Sequence, residues 1–342
     1  MSEASGEKKE NPSLFIYSFI YFYRSIIMAY PTTGTSGMVG FAKSGSTTGG
    51  TGGTVVSITS LSDLKTHVAG TDTKILVINA NISASALTKV TLGANKSIIG
   101  SYSSNTLTNI HFRSSSSSKN IIFQNLTFKH TSTINGNDDI QIYLTHGNKY
   151  WLDHLTFPGH DYTLTDGGLD KLIYIGEKAD YVTISNCLFK NHEYGLILGY
   201  PQDGSSNGST YDGYPHLTIC HCYFSNIYVR APGLMRYGYY HAYNNFIDKY
   251  QLGFTLAQNA KIVSEYNYFG TTTSSNKGML DDKGTGTFTD TGSTPSITNQ
   301  TSSASKWTPS SNYSYKLKTV SEAKTFTQNY AGAQSASLTF GG

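Results

Sequence analysis

The sequence is short of several things, and each shortage excludes something. Only 14% of its 342 residues are charged, with a net charge of +3, too little to make a nucleic-acid partner. There are three cysteines, Cys187, Cys220 and Cys222. An odd count defines no disulfide framework, and a chain this long can bury a core without one. Proline is scarce at 8. The one long apolar run, "SLFIYSFIYFYRSIIMAY" at Ser13–Tyr30, is interrupted by Arg24. It is of signal-peptide length, so no stable membrane span is expected. Residues 1–30 read as a degenerate secretory signal or anchor, or as a surface extension. Residues 31–342 read as one domain.

Glycine is plentiful at 34, and the polar complement is mostly Ser, Thr, Asn and Tyr. That profile suits many short strands joined by tight turns. "SGSTTGGTGGT" at Ser44–Thr54 has the composition of a flexible loop. Ser60 and Asp63 open a capping pattern over Leu61, Leu64 and Val68, which predicts a short helix. A second short helix is expected from Val320 to about Tyr330.

Between these helices the chain repeats itself. "IIFQNLTF", "YWLDHLTF", "VTISNCLF", "LTICHCYF", "YHAYNNFI" and "IVSEYNYF" begin at Ile121, Tyr150, Val182, Leu217, Tyr240 and Ile262. Each is an alternating strand, a polar residue, then an aromatic or aliphatic plug. Successive copies lie 22 to 35 residues apart. A constant core unit with variable loops predicts an all-β, single-stranded parallel β-helix, whose coils bury their inward residues by stacking. The helix near Leu61 would close one end. Asn125 and Asn186 would occupy equivalent turns. Cys187 and Cys222 would be neighbours in adjacent coils, about 4.8 Å apart, and core packing explains them better than a metal site does.

Outward side chains of such a coil form a long shallow groove suited to an extended polymer. Asp139, Asp166 and Asp170 could line it. Carboxylates on rigid strands suit Ca²⁺, which takes roughly 6 to 8 oxygens; the plainer reading is that they solvate Gly-containing turns. In "VRAPGLMRYG", Val229–Gly238, two arginines bracket Pro232. Arg230 and Arg236 could clamp carboxylates bidentately, or form surface ion pairs.

The repeats, "WLDH" at Trp151–His154, "RAPGLMRYGYYHAYNN" at Arg230–Asn245 and "EYNYF" at Glu265–Phe269 resemble polysaccharide lyase family 1, the pectate lyases. The resemblance runs from about Gly40 to Tyr330. It implies a right-handed parallel β-helix and Ca²⁺-assisted β-elimination of polygalacturonate by a secreted, extracellular enzyme, expected as a monomer. It implies that Arg230 removes the C5 proton, that Arg236 binds a substrate carboxylate, and that Asp139 binds Ca²⁺ together with Asp170 and either Asp166 or Tyr174. An arginine base implies an alkaline optimum, since its pKa exceeds about 12.

Three features depart from the family pattern. Gly233–Met235 puts three residues between Pro232 and Arg236 where the family has two, so a local bulge is expected to keep both arginines facing out. The acidic pair has two possible alignments. Tyr194 stands where a substrate-binding lysine is expected; Lys171 or Lys190 could compensate, and Tyr194 and Lys171 are taken as substrate-binding candidates. The alternatives are a pectin lyase acting on methyl-esterified polymer without Ca²⁺, against which Asp139 and Asp170 argue, a glycoside hydrolase using Asp166 and Asp170, and a non-catalytic β-helix that binds acidic polysaccharide.

Overall fold

The computed structural model describes residues 1, 30–31, 34–136, 140–160, 171–273 and 276–342. Every strand pairing among them is parallel. One ten-stranded sheet runs the length of the molecule, from Thr54–Ile58 to Thr287–Thr291. A second, branched assembly of strands closes the coil around the core. The fold is a right-handed parallel β-helix.

Each repeat copy supplies a strand of the long sheet, then a turn, then a plug. The turn residues Asn125, His154, Asn186, His221, Asn244 and Tyr266 all have φ between 47° and 58°. This left-handed conformation suits asparagine; histidine and tyrosine adopt it at a cost. Here the coil recovers that cost: each turn N–H donates to a carbonyl of the next coil, as from His154 to Ser185 at 3.1 Å and from Tyr266 to Thr291 at 2.9 Å. The expected equivalence of Asn125 and Asn186 holds, although the turn row mixes side chains.

The plugs form an internal ladder. Phe128, Phe157, Phe189 and Phe224 stack with centroids 5.2, 5.1 and 4.8 Å apart and rings within 14° of parallel. Burying each ring contributes about 1.5–3 kcal/mol. Cys187 and Cys222 sit beside this ladder as buried free thiols, and burial pushes the Cys222 thiol well above its ordinary pKa.

The helix Leu61–Val68 caps the first coils, with Leu64 and Val68 fully buried and Ser60 accepting from the Asp63 N–H at 3.1 Å. Helix Val320–Tyr330 begins with a capping box between Thr319 and Glu322. The "SGSTTGGTGGT" segment departs from expectation, being laid on the long sheet. Asn120 Oδ1 accepts from the Thr48 and Gly49 N–H groups, each at 2.8 Å, and Ser97 Oγ accepts from Gly50. A Cβ on Gly49 would stand 2.5 Å from Ser97 Oγ, so this glycine serves close packing. Composition could not distinguish that from looseness.

"WLDH" is part of the framework. Asp153 is fully buried and accepts from Gln124, Ser185, Asn186 and His154 at 2.7–3.0 Å. Trp151 Nε1 donates to Ser185 Oγ, and His154 Nε2 meets the Thr339 carbonyl at 3.1 Å, tying the C-terminal segment to the coil. No helix among the described residues is long and apolar enough to cross a membrane.

Candidate active site

The strand Leu188–Leu198 pairs first with Tyr223–Val229 and then with Leu234–Met235. Tyr194 faces Val229 and Ile197 faces Leu234. Four residues, Arg230–Gly233, therefore stand opposite two, Gly195 and Leu196. A bulge is present, but it is Arg230–Gly233 rather than the expected Gly233–Met235, since Leu234 and Met235 are paired in register. Arg230 sits at its start with φ +64°, and its carbonyl accepts from the Leu196 N–H at 3.2 Å. The approach is close enough that a Cβ on Gly195 would lie 2.3 Å from the Arg230 carbonyl oxygen.

Arg230 and Arg236 open onto the same cleft, of about 500 Å³. The Arg230 guanidinium lies over the Tyr194 ring, 4.4 Å from its centroid. Such a cation–π contact contributes roughly 0.5–2 kcal/mol and fixes the plane of the guanidinium. Arg236 donates from Nε to Asp203 Oδ1 at 2.7 Å and from Nη2 to Asp203 Oδ2 at 3.4 Å. Lys277 and Lys283 bring two further cations, Glu193 and Asp281 bring two carboxylates, and Gln251 and Tyr228 bring neutral polar groups. Lys283 pairs with Asp281 at 2.8 Å. Gln251, Lys277 and Lys283 were not legible as site residues: they come from later coils and belong to no motif.

Lys171 begins the strand Lys171–Ile175 and pairs in register with Tyr194 on the next coil. It is buried, and it does not line the cleft. Asp139, Asp166 and Asp170 fall outside the described residues. Among the described residues no three His, Cys, Asp or Glu side chains are grouped to hold a metal ion. Tyr174, the alternative second ligand, is buried against Tyr143 with ring centroids 4.6 Å apart, and packs with Ile140, Ile197, Leu234 and Ala257. Burial raises its phenol pKa strongly, so it stays a neutral hydroxyl and supplies no charged ligand. In register, the row Arg113, Tyr143, Tyr174, Ile197, Leu234 and Thr255 runs across the strands, and its last two members line the cleft. Its centre is aromatic and apolar.

A family profile described as pectate lyase matches residues 19–336. The chain belongs to the pectate lyase family. The chain is 60% identical to a pectin lyase of Pseudomonas marginalis over 314 residues, covering 92% of this chain and all of that protein. It is 54% identical to a pectin lyase of Bacillus subtilis, covering 91% and 92%. Among solved structures, a pectate lyase bound to a hexasaccharide superposes with a TM-score of 0.74 at 19% identity, covering 90% of this chain and 99% of that one. A pectate lyase of Bacillus sp. N165 in complex with trigalacturonate superposes at 0.73 and 23% identity, covering 86% and 98%. These likenesses place this pectate lyase family member among the polysaccharide lyases.

Proposed function

We propose that this chain cleaves α-1,4-linked polygalacturonate by β-elimination, outside the cell, with Arg230 as the base. The observation that carries the reading is the bulge: it holds Arg230 on the Tyr194 ring in a cleft that also carries Arg236, Lys277 and Lys283. Arg230 in its neutral form takes the C5 proton. The electron pair forms the C4–C5 double bond, the C4–O bond breaks, and the departing glycosidic oxygen takes a proton from water. Negative charge grows on the C6 carboxyl group during proton removal, and Lys277, together with Arg236 and Lys283 to the extent that their Asp203 and Asp281 partners yield, favours it electrostatically. Those cations also oppose a further positive charge on the cleft, whereas Glu193, Asp281 and the Tyr194 face favour the cation, and with an ordinary pKa above about 12 the neutral form of Arg230 gains as pH rises. Activity should therefore rise toward alkaline pH.

Ca²⁺ would add neutralisation of the substrate carboxylate when bound. The described residues alone do not fit it: they hold no acidic trio, and the middle of the row that leads to the cleft is aromatic and apolar. Ca²⁺ assistance thus rests on Asp139, Asp166 and Asp170.

A second reading concerns esterification. Leu234 and Leu252 on the cleft wall, continued by the apolar row that runs on from Leu234, suit methyl esters better than carboxylates, and the relatives at 54% and 60% identity bear the name pectin lyase. Polygalacturonate and highly methylated pectin, each with and without chelator, separate the readings. Ultraviolet absorbance from an unsaturated uronide is expected with at least one polymer, and is expected to vanish in Arg230→Ala. Chelator-sensitive cleavage of polygalacturonate supports the first reading. Chelator-insensitive cleavage of the esterified polymer supports the second. Saturated reducing ends, or near-normal turnover by Arg230→Ala, would refute both.

A further inference from the structure

The geometry points to Asp203 as a specificity-determining residue: a built-in carboxylate that occupies Arg236 and biases the cleft against a free galacturonate carboxylate at that position. This rests on the lyase reading above and deepens it.

Asp203 lies 33 residues before Arg236 in the chain, in the loop that follows the strand Leu188–Leu198. Its two oxygens take the Nε and Nη2 edge of the guanidinium, the paired-donor edge that a substrate carboxylate would also use. The loop is fastened on both sides of the aspartate. The buried Tyr237 donates its hydroxyl to the Gln202 carbonyl at 2.9 Å, and the Gly204 N–H donates to Gln258 Oε1 at 2.6 Å. Tyr237 follows Arg236 directly, so the same short segment carries the cation and anchors the loop that holds its anion. The Arg236 side chain is 13% exposed and that of Asp203 is 55% exposed. The pair therefore sits at the cleft rim, where an incoming polymer meets it. The hydrogen bond from Arg236 holds the Asp203 carboxyl below its ordinary pKa, so the aspartate stays charged whenever the enzyme works at neutral or alkaline pH.

A free galacturonate carboxylate reaching Arg236 must displace Asp203 or sit beside a like charge. A methyl ester carries no charge and meets no such penalty. The test is catalytic efficiency on polygalacturonate and on highly methylated pectin for wild type, Asp203→Asn and Asp203→Glu. Asparagine keeps the size and one hydrogen bond to Arg236 but removes the charge. Its ratio of kcat/KM, polygalacturonate over pectin, is expected to rise about tenfold, chiefly through KM, as one partly screened charge leaves the rim. Asp203→Glu should keep the wild-type ratio. A ratio within about twofold of wild type in Asp203→Asn, or an equal loss on both polymers, would overturn the proposal. Calorimetric affinities for trigalacturonate and its methyl ester give the same comparison without turnover. If wild type cleaved neither polymer, the lyase reading would fall alone, and those two affinities would still decide the role of Asp203.

Discussion

Gly195→Ala reaches the chemistry through one added methyl group. Gly195 lies opposite the bulge, and its Cβ would stand 2.3 Å from the Arg230 carbonyl oxygen and 3.3 Å from its carbonyl carbon. The obstacle is backbone, which cannot swing aside as a flexible side chain does. Relief requires the two segments to part by roughly 0.7 Å or more, lengthening the hydrogen bond from the Leu196 N–H to the Arg230 carbonyl, now 3.2 Å. The Arg230 backbone moves with that carbonyl, and the guanidinium shifts across the Tyr194 ring. Misplacing a reacting group by about 1 Å can cost about 100-fold in rate, or about 2.7 kcal/mol in the barrier. We expect kcat/KM of Gly195→Ala to fall by about that factor, with a stability loss of about 1–3 kcal/mol from local overpacking.

Gly233→Ala is the control, because Gly233 lies within the same bulge. Its Cβ would meet Leu198 Cδ1 at 3.1 Å, the end of a mobile side chain, and the nearest backbone atom at 3.5 Å. Activity within about threefold of wild type is expected there. The assay is uronide absorbance on the preferred polymer, beside urea unfolding of each variant. A folded Gly195→Ala protein with near-wild-type kcat/KM would refute the reasoning: the position of Arg230 would then not limit the reaction.

Two further outcomes are expected. Asp153→Asn replaces an acceptor of four hydrogen bonds, in a fully buried site, with a group that must donate toward donors; unfolding free energy should fall by about 3–5 kcal/mol, and a loss below about 1 kcal/mol by urea denaturation would contradict the framework role of "WLDH". Burial, then the neighbouring His160 and His192, depress the His130 pKa to about 3; burial, then Lys318, depresses that of His221 to about 3. Since these histidines titrate near 6.5 when unfolded, the unfolded chain binds more protons below that pH. Stability should hold above about pH 6.5 and decline progressively toward pH 3. His130→Gln should flatten part of that decline in urea midpoints measured across the range, and an unchanged slope would count against it.

The coil was legible because its inward pattern is local. Strand, turn residue and plug recur in order, so the repeats around Ile121, Tyr150, Val182 and Leu217 foretold stacked strands and the proximity of Cys187 and Cys222. Both helices announced themselves through their caps, Ser60 and Thr319. Arg230, Arg236 and the need for a bulge were visible because they share ten residues. What failed to show depends on contacts between coils. Asp203 meets Arg236 only because a loop folds back from the previous coil. Lys277 and Lys283 reach the cleft from a later strand of no distinctive pattern. Tyr174 could be counted as a ligand or as core from spacing alone; only register shows it within an apolar row. Glycine composition in Ser44–Thr54 looked loose, because the clash a Cβ would cause belongs to the neighbouring strand.

The regular interior also accounts for the placement of the bulge at Arg230. The phenylalanine ladder, with centroids 4.8–5.2 Å apart, and the row of left-handed turns hold each coil to the spacing of paired strands. Neither can admit extra chain without breaking contacts in every adjoining coil. Two surplus residues between Val229 and Leu234 leave the pairing as a bulge, in which Ala231 packs into the core while Arg230 stays half-exposed on the cleft. Pairing resumes at once, with Leu234 and Met235 against Ile197 and Leu198 on one side and Thr255 and Leu256 on the other. The bulge is thus pinned at both ends, and the side chain at its start, Arg230, is aimed by the frame. A flexible loop could also present an arginine to a polymer, but it would have to order that side chain at each turnover. Here the stacking of the coils supplies the ordering as the chain folds.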